Sequence, residues 1–196
     1  GERVKEKRKM MCNPFCVGFK GSNRDVVKAF ISLGSNIEPR LHYLKRAVKM
    51  LSDCEGLRIT AVSSVYETEP VEVSTPQMWF LNAVVEVETH LSPFELFRLM
   101  QNIEARLGRE GKGLKAPRTI DLDLLIYDEL GLKTQQLELP HPRLCERAFV
   151  VIPLCEIAPK LTLPSGENVC EVAKRLSNLQ RVVLRFKPTE WVTSEI

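Results

Sequence analysis

The chain has 196 residues, of which 44 % are hydrophobic and 27 % charged, and this predicts one folded domain with short extensions. The apolar content, with only 10 Gly and 12 Pro, excludes collagen-like and wholly disordered proteins. The longest apolar run, Ala148–Cys155, is far shorter than the roughly 18 to 20 residues that cross a bilayer, which excludes a membrane-spanning helix.

The net charge of +3 is unevenly distributed along the chain. Residues 1–28 contain eight Lys and Arg against three Asp and Glu, whereas the remaining residues contain 20 against 22. We expect residues 1–27 to form a flexible basic arm, residues 28–187 the folded domain, and residues 188–196 a tail. A cytoplasmic location is predicted, and the alternative is that the arm is the remnant of an organelle-targeting segment.

The cysteines predict neither a zinc site nor a disulfide framework. Only Cys12 and Cys16 are close in sequence, and a single C-x3-C pair without a His partner is weak evidence for zinc. The other four lie in apolar surroundings, where a free thiol behaves as a small hydrophobe: Cys54, Cys145, Cys155 and Cys170. We therefore expect a reducing compartment and no disulfides.

The first half of the domain alternates between strand and helix patterns. Val26–Ser32 is typical of a buried strand, and Pro39 suits the first turn of a helix. That helix has apolar residues on one face at Leu41, Leu44, Val48 and Leu51. Residues 57–66 and 81–89 are rich in Val and Thr and predict two strands, separated by a long loop that contains Pro70 and Pro76.

A second helix is predicted over residues 93–107. Ser92 is a suitable N-cap, Pro93 occupies the first helical position, and Glu95 completes a capping box. Its apolar face comprises Leu96, Leu99, Met100, Ile103 and Leu107. Gly108 is the expected C-terminal stop.

The remaining elements complete an α+β pattern. Residues 119–127 predict a strand, 148–157 a buried helix or strand, 169–176 a helix, and 182–186 a closing strand. The order strand, helix, strand, strand, helix, strand is the split βαβ pattern of ferredoxin-like folds. We expect an antiparallel sheet with both helices on one face and the other face available for a site.

A pair of acidic residues in the strand over residues 119–127 predicts a metal site. Side chains alternate along a strand, so Asp121 and Asp123 project from one face about 7 Å apart. The same alternation puts Leu125 and Tyr127 on the face of the aspartates, and puts the intervening apolar residues on the opposite face: Ile120, Leu122, Leu124 and Ile126. Two carboxylates at that spacing suit Mg2+ with phosphate oxygens; the alternative is a polar face that meets water.

Basic residues precede the acidic pair in a Gly-rich segment over residues 108–118. They are Arg109, Lys112, Lys115 and Arg118. A flexible cationic loop beside paired carboxylates suits a metal-bound polyphosphate, although a solvated turn is an equal alternative for the two lysines. Two further clusters stand out, one around His141 and Arg147, and one in which Asn82 opens an apolar strand and needs buried partners.

Five ordered segments of the chain carry a family resemblance. They are Ile31-Ser32-Leu33-Gly34-Ser35-Asn36, Ser63-Ser64-Val65-Tyr66-Glu67-Thr68, Phe80-Leu81-Asn82-Ala83, Ala116-Pro117-Arg118-Thr119-Ile120-Asp121-Leu122-Asp123, and Pro140-His141-Pro142-Arg143. With them the chain resembles the 6-hydroxymethyl-7,8-dihydropterin pyrophosphokinases of folate biosynthesis, from about Lys28 to Val169. The resemblance implies transfer of a diphosphate from ATP to the pterin hydroxymethyl group, which leaves AMP.

The resemblance also implies roles for individual residues. Asp121 and Asp123 would bind two Mg2+ ions, and Arg109 and Arg118 would contact phosphates during catalysis. The nucleotide would be bound by Glu104, Lys112, Leu124, His141 and Arg147. The pterin would be bound by Thr68, Val71, Phe80, Asn82 and Phe149. Relatives are often fused to dihydropteroate synthase or dihydroneopterin aldolase, so fusion to or association with these enzymes is expected.

Two other functions are consistent with parts of the pattern. A ferredoxin-like nucleic-acid-binding module could use the basic arm, but the folded part has a net charge of −2 and its strands lack paired exposed aromatics. A different two-metal nucleotidyltransferase would share the aspartates but not Asn82 and Phe149.

Overall fold

The computed structural model describes residues 25–69, 78–110 and 119–193, apart from the side chains of residues 109 and 110. The strands are β1 (Val27–Ser35), β2 (Leu57–Val62), β3 (Val65–Thr68), β4 (Phe80–Thr89), β5 (Asp121–Tyr127), β6 (Leu132–Lys133), β7 (Glu138–Leu139) and β8 (Val182–Phe186). The helices are α1 (Arg40–Ser52), α2 (Pro93–Glu110), α3 (Ala148–Ile157), α4 (Val169–Ser177) and α5 (Pro188–Trp191), and a 3-10 turn over Leu144–Glu146 precedes α3. Most of the basic arm and the end of the tail lie outside the described residues.

Six strands form one antiparallel sheet. Its order is β5-β1-β4-β3-β8. Strand β2 pairs with the same edge of β4 as β3 does, at the other end of β4. The short strands β6 and β7 form a separate ribbon. This arrangement confirms the antiparallel α+β fold class, and β1 and β4 lie at the centre of the sheet.

The single strand predicted over residues 57–66 is wrong, because the structure has two strands there. Ser63 donates its backbone N–H to the carbonyl of Val84 (3.0 Å), and its Oγ accepts from the Val84 N–H (2.9 Å). The hydroxyl thus replaces the backbone acceptor at this point of the ladder, which ends β2 and lets the chain restart as β3 after Ser64.

Helices α1 and α2 cover one face of the sheet, as predicted. Their apolar stripes and the inward side chains of the strands form a closed core, whose fully buried members include Ile31, Leu33, Leu44, Leu51, Leu96, Met100, Ile103 and Leu107. The Ser92 Oγ accepts from the Glu95 N–H at 3.2 Å, which confirms the predicted cap of α2. Gly108 does not end this helix, which continues to Glu110, because a glycine inside a helix costs only about 1 kcal/mol.

The opposite face of the sheet is not fully open, contrary to expectation. Helices α3 and α4 pack together over one half of it, and with Phe30 and Val84 of the sheet they bury a second apolar cluster. The uncovered half, at the other end of the strands, contains the cavity described below. Within the described residues, no helix has the length and apolarity required to span a bilayer.

The expectation of no disulfide is wrong for one pair of cysteines. Cys155 in α3 and Cys170 in α4 are joined by a disulfide, with their Cα atoms 5.0 Å apart. They are 15 residues apart in sequence, and only the packing of the two helices brings them within reach of a bond. Cys54 and Cys145 are not part of a disulfide among the described residues.

Candidate active site

Asp121 and Asp123 lie on the partly open face of the sheet, where β5 pairs with β1. Asp121 is opposite Gly34 and Asp123 is opposite Ser32, whereas Leu122 and Leu124 point into the closed core. Both aspartates are half-buried. The prediction that this strand presents its two carboxylates together on one face is confirmed.

The alternation fails further along β5. Ile31 pairs with Leu124 and Phe30 pairs with Ile126, so Leu125 is an extra residue without a partner in the ladder. Beyond this bulge the pattern inverts: Ile126 packs under α3 and α4, and Tyr127 packs into the closed core. The predicted faces of Ile126 and Tyr127 are therefore wrong, because a bulge shifts the side-chain parity by one residue.

Arg147 lies beside the acidic pair. Its guanidinium is 3.7 Å from the Asp123 carboxylate and 5.5 Å from the centre of the Phe149 ring. The long ion pair is partly exposed, so it adds little to stability. The arginine can therefore exchange Asp123 for a phosphate at small cost.

Glu104 connects α2 to the acidic strand. Its carboxylate accepts from the N–H of Leu122, between the two aspartates, at 3.3 Å. It lies on a second stripe of α2 that faces the cavity together with Phe97 and Gln101. Sequence analysis missed Phe97 and Gln101, although the spacings of four residues from Phe97 to Gln101 and of three from Gln101 to Glu104 are a helical signal.

His141 is held near the same carboxylates. Its backbone N–H donates to the carbonyl of Leu125 (2.8 Å), and its Nδ1 accepts from the Arg143 N–H (3.1 Å). Burial lowers the pKa of the imidazole below its ordinary value, although the nearby Asp123 carboxylate opposes that shift. The ring is therefore neutral at pH 7, with its proton on Nε2.

Asn82 and Thr68 form a buried polar pair on the same face of the sheet. The Asn82 Nδ2 donates to the Thr68 Oγ1 at 2.7 Å. The Asn82 Oδ1 leans across β1 at Gly34, where an added Cβ would stand only 2.7 Å from it. Gly34 is thus required for the position of the amide, and the predicted need of Asn82 for a buried partner is confirmed.

Gly34 also separates this amide from the acidic pair. β1 lies between β4 and β5, and Gly34 pairs with Asn82 on one side and with Asp121 on the other. Asn82 and Asp121 are therefore about 10 Å apart, two strand spacings, with no side chain between them. We call this line of three residues the Asn82–Gly34–Asp121 row.

A cavity of about 770 Å3 lies above this row. That volume is within the range of small-molecule sites. Its lining brings together nine of the sequence-predicted or neighbouring site residues: Gly34, Thr68, Phe80, Asn82, Glu104, Asp121, Asp123, Arg147 and Phe149. Carboxylates and arginines thus share one cavity with a buried amide and aromatic rings.

Several predicted site residues are not in that lining. His141 lies near Asp123 but does not line the cavity, and the Leu124 side chain is buried in the closed core. Arg109 is within the last turn of α2, but its side chain is not described. Val71, Lys112 and Arg118 lie outside the described residues.

The cavity is also lined by residues to which sequence analysis assigned no role. They include Ser32, Glu69, Arg143, Glu146 and Gln180. Gln180 comes from the turn between α4 and β8, more than 30 residues after Arg147, and no local pattern marks it. Its place in the site follows only from the return of the chain to the sheet as β8.

Comparison with known proteins gives a family for this arrangement. Residues 30–159 match the family model described as 7,8-dihydro-6-hydroxymethylpterin-pyrophosphokinase (HPPK). The 2-amino-4-hydroxy-6-hydroxymethyldihydropteridine pyrophosphokinase of Bacillus subtilis is 47 % identical over 68 % of this chain and 79 % of its own length. That of Methylorubrum extorquens is 42 % identical over 80 % of this chain and 99 % of its own length.

A solved structure supports the same fold. The wild-type HPPK-DHPS of Plasmodium falciparum with pteroate matches 82 % of this chain with a TM-score of 0.65 and 14 % identity. The match spans 44 % of that longer chain. None of these comparisons supports a nucleic-acid-binding module or another nucleotidyltransferase.

Proposed function

The chain belongs to the 7,8-dihydro-6-hydroxymethylpterin-pyrophosphokinase family, and we propose that its cavity binds ATP and the pterin together above the Asn82–Gly34–Asp121 row. Its activity is the pyrophosphokinase step of folate biosynthesis, an ATP-dependent diphosphate transfer. The pterin hydroxyl oxygen forms a bond to the β-phosphorus of ATP while the bond from that phosphorus to the α-phosphate oxygen breaks. AMP leaves with that oxygen, and the hydroxyl proton is released.

The pterin occupies the amide end of the row. Asn82 presents its Oδ1 to the ring edge, and its Nδ2 is already bound to Thr68, which prevents rotation of the amide. Phe80 and Phe149 line the same cavity and offer aromatic surfaces on which a planar ring can stack. Because Gly34 has no side chain, the hydroxymethyl group can point along the row toward Asp121. A backbone contact from Val71 is a further prediction for this end.

The triphosphate occupies the acidic end, where Asp121 and Asp123 would hold two Mg2+ ions. The donor set fits, since hard carboxylate oxygens on one face suit this ion. No group of three or more metal-binding side chains occurs among the described residues, so phosphate oxygens and water would complete the coordination. When bound, the metal supplies neutralisation of phosphate charge and polarises the reacting oxygens.

Cationic and neutral donors of the chain surround the nucleotide. Arg147 exchanges the Asp123 carboxylate for a phosphate oxygen, and the neutral His141 offers its Nε2–H. Glu104 holds the backbone of β5 between the two aspartates. Contacts from Leu124, Arg109, Lys112 and Arg118 to the nucleotide are proposed from the family resemblance.

This division of the cavity supports the proposal because diphosphate transfer depends on alignment and charge neutralisation more than on covalent chemistry. A row of fixed side chains about 10 Å long, two strand spacings, sets the distance between the bound ring and the reacting phosphate. The proposal depends on one observation above all: Gly34 lies between the amide of Asn82 and the carboxylate of Asp121.

The proposal is tested by analysis of the reaction products and then by calorimetry of ligand binding. Incubation with ATP, Mg2+ and hydroxymethyldihydropterin should give equimolar AMP and pterin diphosphate, measured by phosphorus NMR. Calorimetry with a non-hydrolysable ATP analogue should show that Asn82→Ala weakens pterin binding and leaves nucleotide binding intact. Formation of ADP instead of AMP, or equal weakening of both ligands by Asn82→Ala, would refute the arrangement.

We also propose partner enzymes and a cellular location for this protein. Association with dihydropteroate synthase is supported by the fused Plasmodium protein, and association with dihydroneopterin aldolase is proposed from the family resemblance alone. Co-elution of the purified enzymes tests both. A cytoplasmic location is supported by Glu2 and Glu6, since transit peptides contain few acids. Fluorescent fusions with and without residues 1–27 test it, and import that depends on the arm would favour an organelle.

A further inference from the structure

Gln180 is hydrogen-bonded to the backbone on both sides of Arg147. Its Oε1 accepts from the Ala148 N–H at 3.0 Å, and its Nε2 donates to the Glu146 carbonyl at 2.8 Å. Both bonds come from one planar amide in the turn between α4 and β8. The two peptide groups that flank Arg147 are therefore held in one fixed arrangement.

Helix α3 needs this contact because it has no cap of its own. Its N-cap residue is Arg147, in extended conformation, and the arginine side chain makes no capping hydrogen bond. The first N–H groups of a helix have no partner within the helix and require an acceptor from elsewhere. Gln180 supplies that acceptor for Ala148, and so leaves the Arg147 side chain available for the cavity.

The same turn also contacts the residue that precedes β4. The Arg181 guanidinium lies over the Trp79 ring, 5.2 Å from its centre. Trp79 directly precedes Phe80 at the start of β4. The Arg181–Trp79 contact thus fixes the turn that contains Gln180 next to β4, and Gln180 in turn fixes the start of α3.

We propose that Gln180 is a positioning residue for diphosphate transfer, which orients Arg147 toward the phosphates beside Asp123. It acts through the backbone of residues 146–148 and needs no contact with ATP. The assignment rests on the proposed function, in which Arg147 binds the nucleotide.

The first test replaces the amide by an apolar chain of similar length, Gln180→Met. Without its acceptor and donor the start of α3 loosens, so KM for ATP should rise about tenfold, with KM for the pterin changed less than twofold. Asn178→Ala is the matched control, since it removes from the same turn a side-chain amide that donates to the Lys174 carbonyl of α4 and not to the backbone around Arg147. This control should leave both KM values unchanged.

The second test uses Gln180→Glu, which changes one atom. The carboxylate still accepts from Ala148 but cannot donate to Glu146, whereas its protonated form can do both. The ratio of its KM for ATP to that of the parent enzyme should therefore fall as the pH is lowered toward about 4.3, the ordinary glutamate pKa. A purely structural role predicts a lower melting temperature with no such pH trend.

The outcomes separate the two proposals. If Gln180→Met and Asn178→Ala have the same KM for ATP, or if Gln180→Glu shows no recovery at low pH, the positioning role is wrong while the function stands. If the parent enzyme forms no AMP from ATP and the pterin, the proposed function itself fails.

Discussion

The two faces of the sheet use the same strands for opposite purposes. Under α1 and α2, the inward side chains of β1, β4 and β5 are apolar and almost fully excluded from solvent. On the opposite face these strands present Ser32, Gly34, Asn82, Asp121 and Asp123, half covered by α3 and half open to the cavity. One face holds the domain together, and the other supplies the polar groups of the site.

The comparison shows how a single strand can supply both stability and chemistry. Leu122 is buried in the core between Asp121 and Asp123, which point to the other side. The packing of Leu122 and Leu124 in the core therefore holds both aspartates on the open face. Substitutions should accordingly separate into two classes, those that lower activity and those that lower stability.

The largest effect is expected on the open face. Asp123→Ala removes a proposed metal ligand and should lower kcat by about a thousandfold or more, several kcal/mol in the transition state. The melting temperature should change little, because Asp123 is partly exposed and its ion pair is long. Steady-state AMP formation and a thermal melt check both parts. Near-normal turnover would show that the acidic pair is not the reacting centre.

The next largest effect is expected in the closed core under α1 and α2. Leu44→Ala leaves a cavity at a position with no exposed surface and should lower the free energy of unfolding by about 2–5 kcal/mol. Urea denaturation measures this loss. The kcat of the folded fraction should stay within twofold of the parent value, and a large fall in kcat would mean that the two faces are coupled.

Gly34→Ala tests whether the central position of the Asn82–Gly34–Asp121 row must lack a side chain. The new Cβ would lie 2.7 Å from the Asn82 Oδ1 and displace the amide, so KM for the pterin should rise about tenfold with little change for ATP. Gly131→Ala is the matched control, since an added Cβ there meets nothing within 4 Å. If both variants have the parent KM, the amide does not recognise the pterin.

The smallest effect is expected at Glu67 in β3, which forms ion pairs with Arg40 and Arg185. Burial alone would raise the pKa of this carboxyl, but hydrogen bonds from Arg185 and Arg40 bring it below its ordinary value of 4.5. The ionised form is thus favoured by folding, so its contribution is present above pH 4.5 and is lost as the pH falls through the lower native pKa. The stability difference between parent and Glu67→Gln should therefore shrink in acid, as measured by urea denaturation across pH. A difference that grows in acid would contradict this network.

Much of this organisation follows from local patterns. The stripe of α1, the cap of α2 at Ser92 and the alternation over Asp121–Leu124 were predictable, because each depends on residues within one or two turns or within a few strand positions. The five segments of the family resemblance likewise predict that Asn82 and the two aspartates lie in one site.

Other features depend on segments that are distant in sequence. The bulge at Leu125 results from the register between β5 and β1, and the break at Ser63 from a hydroxyl that bonds β4. Neither leaves a local signal, since the same residues could continue a regular strand.

The sequence by itself determined helices α1 and α2, strands β1, β4 and β5, the core-forming stripes and the residue types of the site, because these depend on short-range periodicity and on chemistry. Only the tertiary structure decided that α3 and α4 cover half of the second face, that Cys155 meets Cys170, and that Gln180 holds the backbone around Arg147. Each of these is a contact between segments far apart in the chain. Such contacts are selected by how the layers pack together, and no local pattern encodes them.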